Sequence, residues 1–292
     1  MQLKTFPGGL HPPDSKLSAT EAIERCPLPD ELIIPLSQHI GAPATACVEV
    51  GDQVKKGQVI ATARGFVSVP IHASTSGEVI AIEPRLHPMG KALPAVVIKA
   101  DHEDCWDESL QGADPAGLNA SELRDRIRDS GIVGMGGATF PAHVKLSPPE
   151  DKKIDTLIIN GVECEPFLTA DHRMMLEESE RILDGIEILR KVLGIERAVI
   201  GIEANKPDAI KKLTAEGAPR NIEVQALKVK YPQGAEKQLI DAITGKQVPS
   251  GTLPMEIGVV VHNVGTAAAV SDAIRLGRPL VERVATVTGP GI

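Results

Sequence analysis

At 292 residues the chain is long enough to bury a sizeable core, and two domains of ordinary size are expected rather than one. The net charge of -8 excludes the broad cationic face that a nucleic-acid partner requires, and the 2% of aromatic residues demand an aliphatic core. No run approaches the roughly 18 apolar residues of a membrane span. The opening MQLKTFPGGLHPPDSK lacks the apolar stretch of a signal peptide, so a cytoplasmic chain with reduced cysteines is the expectation.

The first hundred residues read as short strands between turns. ACVEV, QVIATA, FVSVPIHA, GEVIAIE and AVVIKA are rich in Val and Ile, and Gly, Pro or Asp separate them. The spacing of VEVGDQVKKGQVIATA and VPIHASTSGEVIAIE resembles the barrel-sandwich hybrid, or biotinyl/lipoyl-like, fold. In that fold a lysine at a hairpin tip carries the swinging arm. RGFVSVPIHAS, between the two half-motifs, offers no such lysine, which argues for a structural or docking module.

DHEDCWDESLQGADPAGLNA, from residue 101, reads as a linker. Strands then alternate with helices. Ser121 is placed to N-cap ELRDRIRDSG, with Leu123 and Ile127 on one face and Gly131 as the stop. KIDTLIING is a buried-type strand, and 174–194 carries Leu176, Leu183, Ile186 and Leu189 at helical spacing. RAVIGIE, IEVQALKVKY and IGVVVHNV follow as strands, with KPDAIKKLTAEG, GAEKQLIDAITG and TAAAVSDAIRLG as helices. Such alternation predicts an α/β domain with a largely parallel sheet, whose ligands sit at the carboxyl ends of strands. The expected division is an all-β module over 1–110, an α/β domain over 111–282, and the start of a further strand-forming domain at 283–292. RVATVTGPGI stops abruptly, as a cut polypeptide does.

Four polar clusters fall at strand or helix ends. GMGGATFPAHVK (134–145) could line an anion with backbone amides and the point charge of Lys145, or be a tight turn; it fits neither a P-loop nor the dinucleotide fingerprint. INGVECEPFLTADHR (159–173) gathers Asn160, Glu163, Glu165, Asp171 and Arg173, which could accept ribose or nicotinamide hydrogen bonds or form a solvated acidic loop. KYPQGAEKQL (230–239) places Tyr231, Gly234 and Glu236 between strand and helix. VVHNVGTAAA (260–269) places His262, Asn263 and Thr266 at a helix start able to receive a phosphate. Cys26, Cys47 and Cys105 read as inert thiols, buried or otherwise. Together with Cys164, inside the second cluster, they are too scattered for a metal or cluster motif.

In this order, GxGGATFPxxxK, INxxExEP, YPxGxEKQL and NVGT resemble the flavin domain of the C subunit of the Rnf electron-transport complex, itself similar to the NADH-binding flavoprotein subunit of respiratory complex I. FPGGLHPPDSK and PLSQHIGAPATACVEVGDQVKKGQ extend the likeness to the N-terminal region. The resemblance implies an α+β multidomain chain, a barrel-sandwich hybrid followed by a Rossmann-like α/β flavin domain. It implies FMN, with Gly134, Gly136, Gly137 and Lys145 near the phosphate and ring system and Phe140 on the nicotinamide side. It implies that Asn160 holds the flavin and Glu165 NADH, with Glu163 in the same loop. Tyr231, Gly234 and Glu236 would line the cavity, and Asn263 and Thr266 would meet the phosphate or ribityl chain. No catalytic side chain and no metal ligand is implied in these residues.

The same resemblance implies that 283–292 begin a truncated β-grasp domain, and that two [4Fe–4S] clusters follow in the full-length protein. Its partners would be the membrane-embedded and ferredoxin-like Rnf subunits, NADH, and ferredoxin indirectly, at the cytoplasmic face of the bacterial inner membrane. Three positions depart from the complex I pattern: Val162 for an aspartate, Ala235 for a glutamate and His262 for an asparagine. The other readings are a docking scaffold or quinone-reductase-like subunit without FMN, and a cobalamin-reductase relative.

Overall fold

A computed structural model describes residues 3–291. The chain forms two compact units that exchange segments: one holds Arg25–Lys145 and Asp272–Arg283, the other the residues up to Glu24, Leu146–Ser271 and those from Val284 on.

The first unit is built on antiparallel strands: β1 (Glu31–Pro35), β2 (Thr45–Ala46), β3 (Gln53–Val54), β4 (Val59–Thr62), β5 (Ile71–His72), β6 (Gly77–His87) and β7 (Lys91–Ala100). They make two sheets, ordered β1-β7-β6-β3 and β2-β4-β5, with a core that includes Ile34, Ile60, Ile71, Val79, Val96 and Ile98. This is the expected hybrid of two small sheets.

The stretch ACVEV is strand only at its start, because Asp52 accepts a hydrogen bond from the Glu49 amide at 2.8 Å and turns the chain there. Helix α1 (Ala120–Asp129) is capped by Asn119 and not by Ser121. The Asn119 side chain accepts from the amides of Ser121 and Glu122, and Glu122 reaches back to the Asn119 amide. An asparagine two residues before the serine completes a capping box with Glu122, which the serine cannot. Helix α2 (Ala142–Lys145) is a single turn, fixed to this unit by a hydrogen bond between His143 Nε2 and the Phe66 carbonyl at 2.9 Å. Lys56, buried beneath Trp106, pairs with Asp104 at 2.6 Å and with Glu282 at 2.7 Å.

The second unit carries β8 (Thr156–Asn160), α3 (Ala170–Glu177), α4 (Ser179–Leu193), β9 (Arg197–Glu203), α5 (Pro207–Gly217), β10 (Ile222–Leu227), α6 (Glu236–Thr244), β11 (Val259–Asn263) and, up to Ser271, α7 (Val264–Arg275). The helix expected over 174–194 is two helices that break at Glu178. All strand pairs are parallel, in the order β10-β9-β8-β11. Continuous apolar runs such as TLII and VVV are what strands covered on both faces require. The chain enters the sheet at β8, steps outward to β9 and β10, and returns to β11 on the other side of β8. Residues 284–291 form no strand, contrary to the reading of RVATVTGPGI. Their alternating Val and Thr find no neighbouring strand among the described residues, and an unpaired strand is not stable alone.

Candidate functional site

In the parallel-sheet unit the strand order reverses between β8 and β11, the topological switch point at which α/β sheets open a crevice beyond their carboxyl ends. Asn160 and Asn263 are register partners at that point. Neither side chain is idle. Asn160 donates to the Gly234 carbonyl at 2.8 Å and accepts from the Val162 amide at 3.1 Å. Asn263 donates to Asp171 at 2.6 Å and accepts from the Gly265 amide at 2.8 Å, which caps α7. The two asparagines therefore tie together the 161–169 loop, the turn at Gly234 and the starts of α3 and α7.

Glu163 takes part in the same bracing. Its carboxylate, buried, accepts from the amides of Asp171 at 2.8 Å and His172 at 3.3 Å, supplying the cap that Thr169 does not give α3. Glu165, two residues on, is exposed, and Tyr231 is 41% exposed. Thr266 is fully buried in the first turn of α7, and Glu236 is half-buried at the start of α6. Gly234 is closely packed: a Cβ there would lie 3.3 Å from Val162 and 3.4 Å from Cys164 Sγ, a tight fit against both side chains. Burial pushes the Cys164 thiol up to about 11 and its sulfur accepts from the Gly234 amide, so it is a packed thiol and not a nucleophile. Cys26 and Cys47 are exposed and, like Cys105, unbridged.

The glycine loop belongs to the other unit. A bond from the Gly134 amide to the Phe140 carbonyl at 2.9 Å and the bridge between Val133 and Pro141 close its neck, with Thr139 in the left-handed region at φ 51°. Gly136 and Gly137 are exposed at the tip; Phe140 and Lys145 are half-buried behind it. Gly131, at φ 67°, ends α1 and would clash with the Pro70 carbonyl if it bore a Cβ. Gly134 and Gly137 are different in kind. Neither has a positive φ, and a Cβ would meet nothing within 4 Å at Gly137 and nothing nearer than 3.6 Å at Gly134. Neither turn geometry nor a clash within the chain demands these two glycines, and at Gly137 the bare backbone faces open space.

Residues that the sequence reading passed over lie beneath the 161–169 loop. Lys206, 1% exposed, donates to the Val162 carbonyl at 2.7 Å, and Lys16 donates to three further carbonyls of the same loop. Glu203, equally buried, sits 3.8 Å from Lys206; burial pushes its carboxyl up to about 7 and pushes the Lys206 ammonium down. Lys16 and Lys206 lie in connecting segments, where polar residues carry no periodicity, and Glu203 is the last residue of β9; nothing in the sequence marks their partners. Among the described residues no cluster of His, Cys, Asp and Glu could hold a metal ion, and no helix is long and apolar enough to cross a membrane.

Residues 4–103 match the RnfC barrel sandwich hybrid domain, and residues 127–272 match the Nuo51 FMN-binding domain. The chain is 51% identical over 292 residues to the C subunit of the proton-translocating ferredoxin:NAD(+) oxidoreductase complex of Clostridium ljungdahlii, covering 99% of this chain and 64% of the relative. It is 49% identical to the Na(+)-translocating counterpart of Acetobacterium woodii, covering 99% and 66%, and 46% identical to the C subunit of the ion-translocating oxidoreductase complex of Pseudomonas aeruginosa, covering 98% and 38%. The chain thus spans about two thirds, or less, of the length of these curated relatives. A solved NAD+-reducing [NiFe]-hydrogenase in the H2-reduced state aligns at a TM-score of 0.49 and 23% identity, over 53% of this chain and 30% of that one. The chain belongs to the RnfC family, the C subunits of Rnf-type oxidoreductase complexes, with an RnfC barrel sandwich hybrid domain ahead of a Nuo51 FMN-binding domain.

Proposed function

We propose that this chain is the NADH-oxidising, FMN-binding part of an Rnf-type ion-translocating NAD:ferredoxin oxidoreductase complex. The observation that carries the reading is the pairing of Asn160 with Asn263 at the switch point of the parallel sheet, where such folds receive nucleotides. FMN, when bound, supplies a hydride acceptor that can release its electrons singly.

The protein's work in this reading is placement. Asn160 and Asn263, already engaged with neighbouring loops, shape the carboxyl edge for the flavin. Glu163 orders the loop that offers Glu165 to the ribose of NADH, while Tyr231, Gly234 and Glu236 form the next wall. Thr266 supports the phosphate end through the start of α7. Within the other unit, Gly136 and Gly137 expose backbone to an anion at the tip of the loop whose neck Gly134 closes through its bond to Phe140, Lys145 contributes the cationic charge, and Phe140 offers an apolar face to the nicotinamide.

The relatives are named as members of a complex, so this chain's partners are proposed to be the other Rnf subunits, with ferredoxin reached through them, at the cytoplasmic face of the inner membrane. In this reading two [4Fe–4S] clusters belong to a full-length protein and not to these residues.

The test is FMN titration of the purified chain, then addition of NADH. Wild type is expected to quench FMN fluorescence on binding and to bleach the flavin in the visible with NADH. Gly137→Ala should leave stability within about 0.5 kcal/mol of wild type, since the added methyl meets nothing, while FMN affinity falls. Unchanged FMN affinity in Gly137→Ala would make the loop a mere turn, and wild type that takes up no FMN would favour the docking-scaffold reading.

A further inference from the structure

The segment before Glu24 has no helix or regular strand among its described residues, yet it runs along the carboxyl ends of the parallel sheet within its unit. Lys4 bridges to Leu227 at the end of β10, and Leu10 bridges to Tyr231. Further on, the Phe167 amide donates to the Asp14 carbonyl at 2.9 Å, Asn205 donates to the Asp14 carboxylate at 3.2 Å, and Ser18 and Thr169 share a hydroxyl bond of 2.7 Å. Arg173 on α3 donates to the Ala19 carbonyl at 3.0 Å. The strap therefore crosses the loop that carries Glu163 and Glu165, and Lys16 stands at the crossing.

The Lys16 ammonium donates to the carbonyls of Glu163 at 2.8 Å, Glu165 at 2.9 Å and Leu168 at 2.6 Å. A lysine has three N–H donors, and all three are used on one loop. With Lys206 on the Val162 carbonyl, four carbonyls of residues 162–168 converge on two buried or half-buried ammonium groups, and the Glu165 side chain is left exposed. Three non-glycine residues at this junction occupy the left-handed region: Ser15 at φ 47°, Glu163 at φ 47° and Phe167 at φ 71°. Such conformations persist only where surrounding bonds over-determine them, and they concentrate at ligand clamps. Charge-assisted bonds to three carbonyls are of the kind that can hold them.

We infer that Lys16 is a positioning residue for the dinucleotide: by gathering the 163–168 carbonyls it sets the direction in which Glu165 meets the ribose of NADH. The inference rests on the proposed NADH-oxidising function, and it separates the two nucleotides. Glu165 serves NADH, whereas the asparagines serve the flavin, so loss of Lys16 should tell on one ligand and not the other.

The experiment uses the whole chain with Lys16→Met and Lys16→Arg. Hydrogen exchange of the Glu163–Thr169 amides is measured without any nucleotide, FMN affinity by fluorescence quenching, and NADH affinity from the saturation of flavin bleaching. Lys16→Met is expected to speed exchange across the loop and weaken NADH binding roughly tenfold while FMN binding stays within about twofold. Lys16→Arg keeps the charge, serves fewer of the carbonyls, and should show the same selective loss at smaller amplitude. Unchanged loop exchange in Lys16→Met overturns the inference. Parallel loss of FMN and NADH affinity with a lower melting temperature also overturns it, leaving Lys16 a structural anchor. If Lys16→Met does not fold, equal NADH affinity in Lys16→Arg and wild type overturns it too. Failure of wild type to bleach with NADH is a different result: it removes the proposed function, whereas a bleaching wild type with an indifferent Lys16→Met removes only the role given to Lys16.

Discussion

Glu203 and Lys206 occupy the interior of the α/β unit at the end of β9, each about 1% exposed. Their 3.8 Å separation is longer than a hydrogen bond, so desolvation outweighs attraction and both are driven toward their neutral forms. Glu203 accepts from the Lys230 amide at 3.0 Å, which favours the charged carboxylate but does not reverse the shift. Because the folded-state value is raised from 4.5 to about 7, the folded form binds the extra proton over that window. The associated stability is fully present below pH 4.5 and is lost as pH rises through about 7, an upper figure of about 3 kcal/mol. Urea denaturation across pH 4.5 to 7.5 should therefore show wild-type stability of this unit declining relative to Glu203→Gln. Parallel profiles for the two proteins would remove the carboxyl from the account.

Among the elements, α4 and α7 are distinguished by how closely they approach. A Cβ on Gly185 would lie 1.8 Å from the Ala267 carbonyl oxygen, so the glycine is fixed by backbone contact between the two helices and not by turn geometry. α7 answers with small residues over GTAAA, buried throughout its first two turns. This close packing holds the start of α7, where Asn263 and Thr266 sit, against its neighbour. Gly185→Ala should cost about 1–3 kcal/mol or more, since rigid backbone and not a mobile side chain must yield. Chemical denaturation measures it, and a loss below about 0.5 kcal/mol would mean that the helices separate easily. The glycine pattern itself was legible in the sequence, but which glycines serve packing was not. Gly137, with open space beside it, and Gly185, with none, look alike in a string of letters.

At the scale of the whole molecule, the two compact units do not follow the order of the chain. Composition divides the sequence near residue 110, where strands give way to helices. Contacts instead group α1, the glycine loop and 272–283 with the β-rich unit, and the N-terminal strap with the parallel sheet. Within the β-rich unit the returning segment is tightly fitted. A Cβ on Gly112 would lie 1.9 Å from the Arg275 carbonyl oxygen, Arg278 lies over the Trp106 ring at 4.8 Å, and the Leu280 amide donates to the Ser130 carbonyl at 2.9 Å. Lys56 also takes one of its two carboxylate partners, Glu282, from that segment, and without it the buried ammonium keeps Asp104 alone. A fragment ending at residue 110 should consequently unfold at lower urea than one comprising 25–145 joined by a short linker to 272–283. Equal midpoints would show that the returning segment adds nothing to this unit.

By itself the sequence determined the elements and their class: runs such as TLII and VVV, the 3.6-residue spacing of Leu and Ile in the helices, and the glycine and proline turns are short-range signals that each segment carries whole. It also determined the family, through four motifs in order. The N-cap on Asn119 and the break at Glu178 lay within reach of local rules but turned on a competition between neighbouring residues. Only the tertiary structure decided that Asn160 meets Asn263, that Glu163 turns inward to cap α3 while Glu165 stays exposed, and that Lys16 reaches a carbonyl 147 residues away. Those facts follow from chain topology, which sets the ends of distant loops side by side. A polar residue in a turn leaves no periodic trace of the partner it will find.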